Sequence, residues 1–232
     1  MKTIKKAVLS ALFGCMAAIA STANAGVIAD RTSLNALLGA SAVTEDFNLL
    51  TNASVGDQGS LNGVLNNSTN VPTLGTGRVV SGVEFSRVGT LNFGSDLFMP
   101  QNGYFGFANP ALLSGSSSLQ IDFQTATDAF GLDLLEYSGY SDRVSIAIYG
   151  ADDTTLLSTE QYFSTNSPTS GVFFGFSDAG GIGRVVATGI NSWSPIIDNL
   201  TFGQANSVPE PATLALLGLG LAGLGVSRRR KA

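Results

Sequence analysis

The chain has 232 residues, 44% hydrophobic and only 12% charged, with 12 Lys plus Arg, 17 Asp plus Glu, no histidine and one cysteine. Without histidine there is no Ser-His-Asp triad, no Cys-His pair and no His-ligated zinc or iron site. The length suits one ordinary domain with appendages, and the scarcity of charge leaves Ser, Thr, Asn and Gln to make the polar surface.

Lys2, Lys5 and Lys6 precede an apolar run from Ala7 to Ala20, which gives way to small residues ending in Ala23-Asn24-Ala25. This order reads as a secretory signal peptide, residues 1–25, cut by signal peptidase at the A-x-A site formed by Ala23 and Ala25. The run is shorter than the ~20 residues that span a bilayer, which disfavours a permanent anchor. Leu12-Phe13-Gly14-Cys15 loosely resembles a lipobox, but Phe13 fits it poorly and the apolar run continues past the cysteine. Cleavage after Ala25 removes Cys15, so the mature protein is expected to contain no thiol and to be held by its core, without disulfides.

Residues 26–207 form the expected domain. Its only cations are Arg31, Arg78, Arg87, Arg143 and Arg184; set against 16 acids, these leave a formal net charge of −11, and there is no lysine. So anionic a surface repels nucleic acid and acidic lipid headgroups and suits a matrix protein or the binding of divalent cations. One helix is predicted, Thr32 to Leu38, with Asp30 or Thr32 as its start signal and Gly39 as its stop. The polar, glycine-rich stretch Asn48 to Thr76 reads as a long surface segment with one short strand near Leu61 to Leu65.

The rest is strand. Ser118–Gln124 alternates strictly, as do Val144, Ile146 and Ile148 against Ser145 and Ala147, the pattern of strands with one dry face. Further strands are predicted at Val79–Val88, Tyr104–Phe107, Ala129–Leu135, Leu156–Phe163, Gly171–Phe176, Arg184–Thr188 and Ile196–Phe202. Turns are expected at Asn102-Gly103, Gly150 to Asp153, Ser167-Pro168 and Asp178 to Gly181. About nine short strands at this spacing predict an all-β domain, an antiparallel β-sandwich or jelly roll.

At the C-terminal end, Val208-Pro209-Glu210-Pro211-Ala212 leads into an apolar segment, 213–226, of Leu, Ala and Gly, then Arg228, Arg229, Arg230 and Lys231. As a single transmembrane helix the apolar residues cover ~21 Å. Ala212, Ser227 and snorkelling arginines extend this toward the ~30 Å hydrocarbon core. The positive-inside rule keeps the basic tail cytoplasmic and the Pro-Glu-Pro motif outside the inner membrane.

These three elements in fixed order resemble the PEP-CTERM sorting signal of exopolysaccharide-producing Gram-negative bacteria. The resemblance implies processing by an exosortase and passage from an inner-membrane-anchored intermediate to the cell surface or the extracellular biofilm matrix. The segments 173–186 and 195–203 resemble closing strands of sandwich ectodomains common among such proteins. Ile197-Asp198-Asn199-Leu200 also resembles the last strand of jelly-roll carbohydrate-binding modules.

Two acids break apolar rows: Asp198 among Ile196, Leu200 and Phe202, and Glu45 between Val43 and Phe47. A buried carboxylate is costly unless paired, hydrogen-bonded or metal-bound. The resemblance to carbohydrate-binding modules implies a structural calcium held by Glu45 and Asp198, with loop carbonyls completing its shell. The alternative is a bulge or strand end that turns either acid to solvent. Asp152-Asp153 and Asp178 read as turn residues rather than metal ligands, since neither has calcium-hand spacing. Trp193, between Ser192 and Ser194, is the leading candidate for stacking on a sugar, ahead of Tyr104, Tyr137, Tyr140 and Tyr162; a partly buried rim position is its plainer reading. No motif selects two carboxylates for glycoside hydrolysis. The expected function is therefore a non-enzymatic, exosortase-processed surface or matrix protein associated with exopolysaccharide. The alternatives are a carbohydrate-binding module with a structural calcium and an enzyme of polysaccharide turnover.

Overall fold

A computed structural model of the chain describes residues 25–50, 59–71, 74–91, 95–99, 110–135, 143–163, 171–190 and 194–206. After β1 (Gly26–Ile28) comes α1 (Arg31–Leu38), then β2 (Val43–Glu45), β3 (Gly59–Leu61), β4 (Leu65–Asn66), β5 (Val83–Leu91) and β6 (Leu97–Met99). They are followed by β7 (Leu112–Ser114), β8 (Ser116–Leu135), β9 (Arg143–Gly150), β10 (Leu156–Phe163), β11 (Val172–Gly189) and β12 (Ile196–Gly203). All the strand pairings are antiparallel.

Two long strands organise the domain. The first half of β8 pairs with β5 and with the second half of β11, which in turn pairs with β9 and through it β10. The second half of β8 pairs with the first half of β11 and with β12; β1, β2 and β7 extend this second layer. The two layers of the sandwich are thus continuous through β8 and β11. The pairing of these two strands breaks register between Ser177 and Arg184, where the chain turns from one layer into the other.

Asp178 to Gly181 was expected to end one strand and begin another, but β11 runs through it. Gly181 sits at φ +89°, and a Cβ there would come within 3.1 Å of Ala126 Cβ on β8. Glycine lets the strand bulge and bend without breaking the ladder on either side, because it alone adopts this backbone region cheaply. The same merger joins Ser118–Gln124 to Ala129–Leu135.

Side-chain burial follows from the layering. Val144, Ile146 and Ile148 on β9 and Leu119, Ile121 and Phe123 on β8 are buried at every second position, as alternation predicts. Farther along β8, residues 129–132 are buried without a break, a pattern that period two does not explain. Here α1 covers the outer face: Leu34 and Leu38 pack with Ala129, Phe173 and Ile28, so both sides of the strand are dry. Between the layers, aromatic side chains from the two sides meet. Phe47 meets Phe85 at 5.4 Å between centroids, and Tyr162 on β10 meets Phe174 on β11 at 4.9 Å.

The helix forms where expected, one residue longer at its start. Asp30 caps it by accepting from Ser33 N at 2.7 Å, and Gly39 at φ +53° ends it. The region predicted as a long surface segment contains β3 and β4; residues 51–58 and 72–73 of it lie outside the described part. So do the predicted Tyr104–Phe107 strand and the Asn102-Gly103 and Ser167-Pro168 turns. The remaining predicted turn is present: Asp152 accepts from Thr154 N, Thr155 N and Thr155 Oγ1 at 2.6–2.9 Å, bonds that hold its carboxyl far below the usual range.

Candidate functional site

The two stretches that carry the odd acids meet. β2 pairs with β12, with Thr44 opposite Thr201 and Glu45 opposite Leu200, so Glu45 and Asp198 lie on adjacent strands. The apolar rows expected around them do not run straight. Val43 is exposed, leaving Glu45 and Phe47 as the buried pair. On β12 the register shifts between Asp198 and Thr201, and Asn199 sits in the left-handed region at φ +49°. Before that bulge both Ile196 and Ile197 are buried because both faces of the strand are covered, Ile197 by the main core and Ile196 by a second cluster with Phe98, Ala111, Leu113 and Leu135.

Glu45 is buried and fully engaged: Oε1 accepts from Phe47 N at 2.6 Å and Oε2 from Val80 N at 2.7 Å. Burial pushes its carboxyl up, and the two amides hold it down. It ties β2 to the chain entering β5. Asp198 is half-buried and accepts from Asn199 N at 2.7 Å. Burial pushes its carboxyl up to about 6, assisted by repulsion from Asp133 and Asp46 and opposed by the Asn199 amide and, less, by Arg31. Among the described residues, no group of three or more His, Cys, Asp or Glu is arranged to hold a metal ion.

Next to Asp198 lies an arrangement that the sequence alone did not reveal. Asp133, opposite Asp198 on β8, takes Arg31 Nη2 at 2.7 Å on one oxygen and Asn199 Nδ2 at 2.9 Å on the other. Arg31 Nη1 reaches Asn199 O and Thr201 Oγ1, both at 3.0 Å, and the guanidinium lies 5.1 Å from the Phe173 ring centroid. One arginine at the start of α1 thus ties the helix to β8, β11 and β12. Its partners lie 102 to 170 residues away in sequence, and the only local hint was the polar pair Asp198-Asn199 inside an apolar strand. Two further ion pairs, Arg184–Asp122 at 2.7 Å and Arg87–Asp96, engage cations of the domain in the same way.

At the other end of α1, the chain leaving β12 runs back over the helix. Gly203 N and O both bond Thr127 Oγ1, Gln204 Nε2 donates to Ala126 O at 2.7 Å, and Ala205 N donates to Asp128 Oδ2 at 3.0 Å. Asn206 N donates to Leu37 O at 2.9 Å, and Ser41 Oγ donates to Gln204 O. A Cβ at Gly39 would fall 1.9 Å from Nδ2 of the exposed Asn206, whose side chain would have to swing aside; the φ of +53° is what favours glycine there.

Trp193, Tyr104, Tyr137 and Tyr140 lie outside the described residues. Tyr162 is half-buried and packs against the core, its ring meeting Phe174 in a T-shaped arrangement. The cleavage-site residue Ala23, the motif Val208 to Pro211, the segment 213–226 and the tail Arg228 to Lys231 also lie outside them; Ala25 is the first residue described. Among the described residues, no helix is long and apolar enough to cross a membrane.

The described domain is an antiparallel β-sandwich that ends immediately before a sorting signal. Residues 207–231 match the PEP-CTERM protein-sorting motif, so the chain carries that signal and is an exosortase-sorted, exported protein that passes through a membrane-anchored intermediate. No curated protein matches the sequence. Among solved structures, the chain is similar to the non-crystalline-cellulose-specific carbohydrate-binding module CBM28, at 9% identity over 51% of this chain and 86% of that one (TM-score 0.30). It is similar also to the K1 cleaved adhesin domain of Lys-gingipain from Porphyromonas gingivalis W83, at 10% identity over 71% and 99% (TM-score 0.32). A third similar structure is CpGH89CBM32-4 from Clostridium perfringens, in complex with GlcNAc-α-1,4-galactose, at 14% identity over 65% and 97% (TM-score 0.24).

Proposed function

We propose that the mature domain is a non-enzymatic protein of the cell surface or extracellular matrix that associates with exopolysaccharide after exosortase releases it. The observation that carries this reading is the sorting motif at 207–231. Two features of the domain it delivers support it. The domain has neither histidine nor lysine, and its only cysteine lies in the expected leader. Its clustered polar side chains are engaged in holding strands together, Glu45 by two amides and Asp133 by Arg31 and Asn199.

Signal peptidase and exosortase are the expected processing partners, and nucleic acid is disfavoured by the −11 charge of residues 26–207. Replacing Glu210 by Ala should leave an unprocessed form in the membrane fraction; a secreted protein of unchanged mass would refute the sorting step. Binding to exopolysaccharide purified from the producing cell should appear as co-sedimentation, and its absence would remove the matrix assignment while leaving sorting intact. Turnover of that polymer by the purified protein would instead establish an enzyme.

A carbohydrate-binding module with a structural calcium is the competing reading, favoured by the pairing of β2 with β12, which puts Glu45 and Asp198 on adjacent strands. Two carboxylates supply only part of a six- to eight-oxygen shell, so backbone carbonyls would have to complete it. Glycan-array binding that requires Trp193 and is abolished by chelator would favour this reading over the first.

A further inference from the structure

The folded domain and the sorting motif are almost contiguous. Asn206 is hydrogen-bonded to Leu37 O at the end of α1, and only Ser207 and Val208 separate it from Pro209. Three Cα–Cα steps reach at most ~11 Å, and the seven steps to Thr213, where the apolar segment begins, reach about 24 Å. An enzyme that takes the motif at the membrane boundary has no room for a cleft between membrane and domain while Asn206 remains docked.

The docking itself is slight. Gln204 and Asn206 are exposed and Ala205 is half-buried; hydrogen bonds to Ala126 O, Asp128 Oδ2, Leu37 O and Ser41 Oγ hold the segment, with no apolar side chain buried. Exposed backbone hydrogen bonds of this kind open far more readily than a core strand does. β12, immediately before, is anchored between β8 and β2 by Leu200 and Phe202 in the core, so opening stops there.

We propose that Gln204–Asn206 is a releasable strap. Docked, it keeps the start of Pro209-Glu210-Pro211 within ~11 Å of chain from the α1 end of the sandwich, and that end is the surface that the membrane-bound processing enzyme meets. The enzyme takes the motif only after the strap lifts, which adds about 10 Å of reach. This rests on the sorting reading above.

The test follows processing of the full chain in membranes containing the exosortase, by pulse–chase. Inserting Gly-Ser-Gly-Ser-Gly between Asn206 and Ser207 leaves every strap contact in place and should speed processing several-fold. Asp128→Ala, which removes the acceptor of Ala205 N, should also speed it, and the insertion variant covers the case in which Asp128→Ala fails to fold. Glu210→Ala is measured alongside. If Glu210→Ala blocks processing while the insertion leaves the rate unchanged or slower, the strap is overturned and sorting stands. If Glu210→Ala processes normally, the sorting reading itself falls.

Discussion

Asp198 sits in surroundings that oppose its charge. Burial, Asp133 and Asp46 lift its carboxyl from the ordinary 3.8 to about 6, against the pull of the Asn199 amide and of Arg31. A carboxylate whose pKa is raised by folding costs stability once ionised, so this cost appears as pH climbs from about 4 through 6 and is absent in acid. At about 1.4 kcal/mol per pKa unit the full gap is ~3 kcal/mol, and partial solvent screening brings it to about 2. Asp198→Asn keeps an oxygen for Asn199 N, so it should be more stable than wild type by about that amount at pH 7.5 and equal to it near pH 4. Urea unfolding at the two pH values checks this; equal stability at both would show that the carboxylate is well solvated. Glu45 predicts the reverse response to substitution. Each of its oxygens accepts a different backbone amide, so Glu45→Gln leaves one buried amide facing an NH₂ group and should cost about 1–3 kcal/mol, read as a lower denaturation midpoint.

The bend in β11 depends on Gly181, whose φ of +89° and 3.1 Å approach to Ala126 leave little room for a side chain. Gly181→Ala should destabilise by about 1–2 kcal/mol, through backbone strain more than lost contacts; an unchanged melting temperature would mean that the bend has slack. Arg31 is the corresponding fastener for α1, bonding Asp133, Asn199 and Thr201. Arg31→Met should cost about 2 kcal/mol, and in a double-mutant cycle with Asp133→Asn the two losses should not add. Elements defined by their own residues were legible in the sequence: α1 with Asp30 and Gly39 at its ends, β9 by its alternation, β10 in full and the Asp152 turn. The fusion of two short strands into β11 was hidden because Gly180-Gly181 signals a turn and a bulge equally well. The unbroken burial of residues 129–132 depends on a helix packed from a distant part of the chain. For the candidate site, sequence singled out Glu45 and Asp198 as odd members of apolar rows. Their partners Val80, Asp133 and Arg31 are fixed only by tertiary register.

Across the whole molecule, 16 acids against 5 arginines in residues 26–207 leave an anionic body whose self-repulsion salt relieves. Its unfolding midpoint should rise with ionic strength. With Cys15 removed with the leader, the midpoint should also be the same with and without reductant; a shift on reduction would mean that the thiol survives maturation. The strands β8 and β11 add a property of another kind, mechanical strength. Because each crosses both layers, neither sheet can separate without dragging the other. A pull on the C-terminal end first peels the slight attachment at Gln204–Asn206 and then draws β12 along its own axis, so the bonds to β8 and β2 are loaded together in shear rather than one at a time. A domain tethered at that end and held elsewhere, in flowing water or a swelling gel, would give a short length of slack before it resists as a single rigid piece.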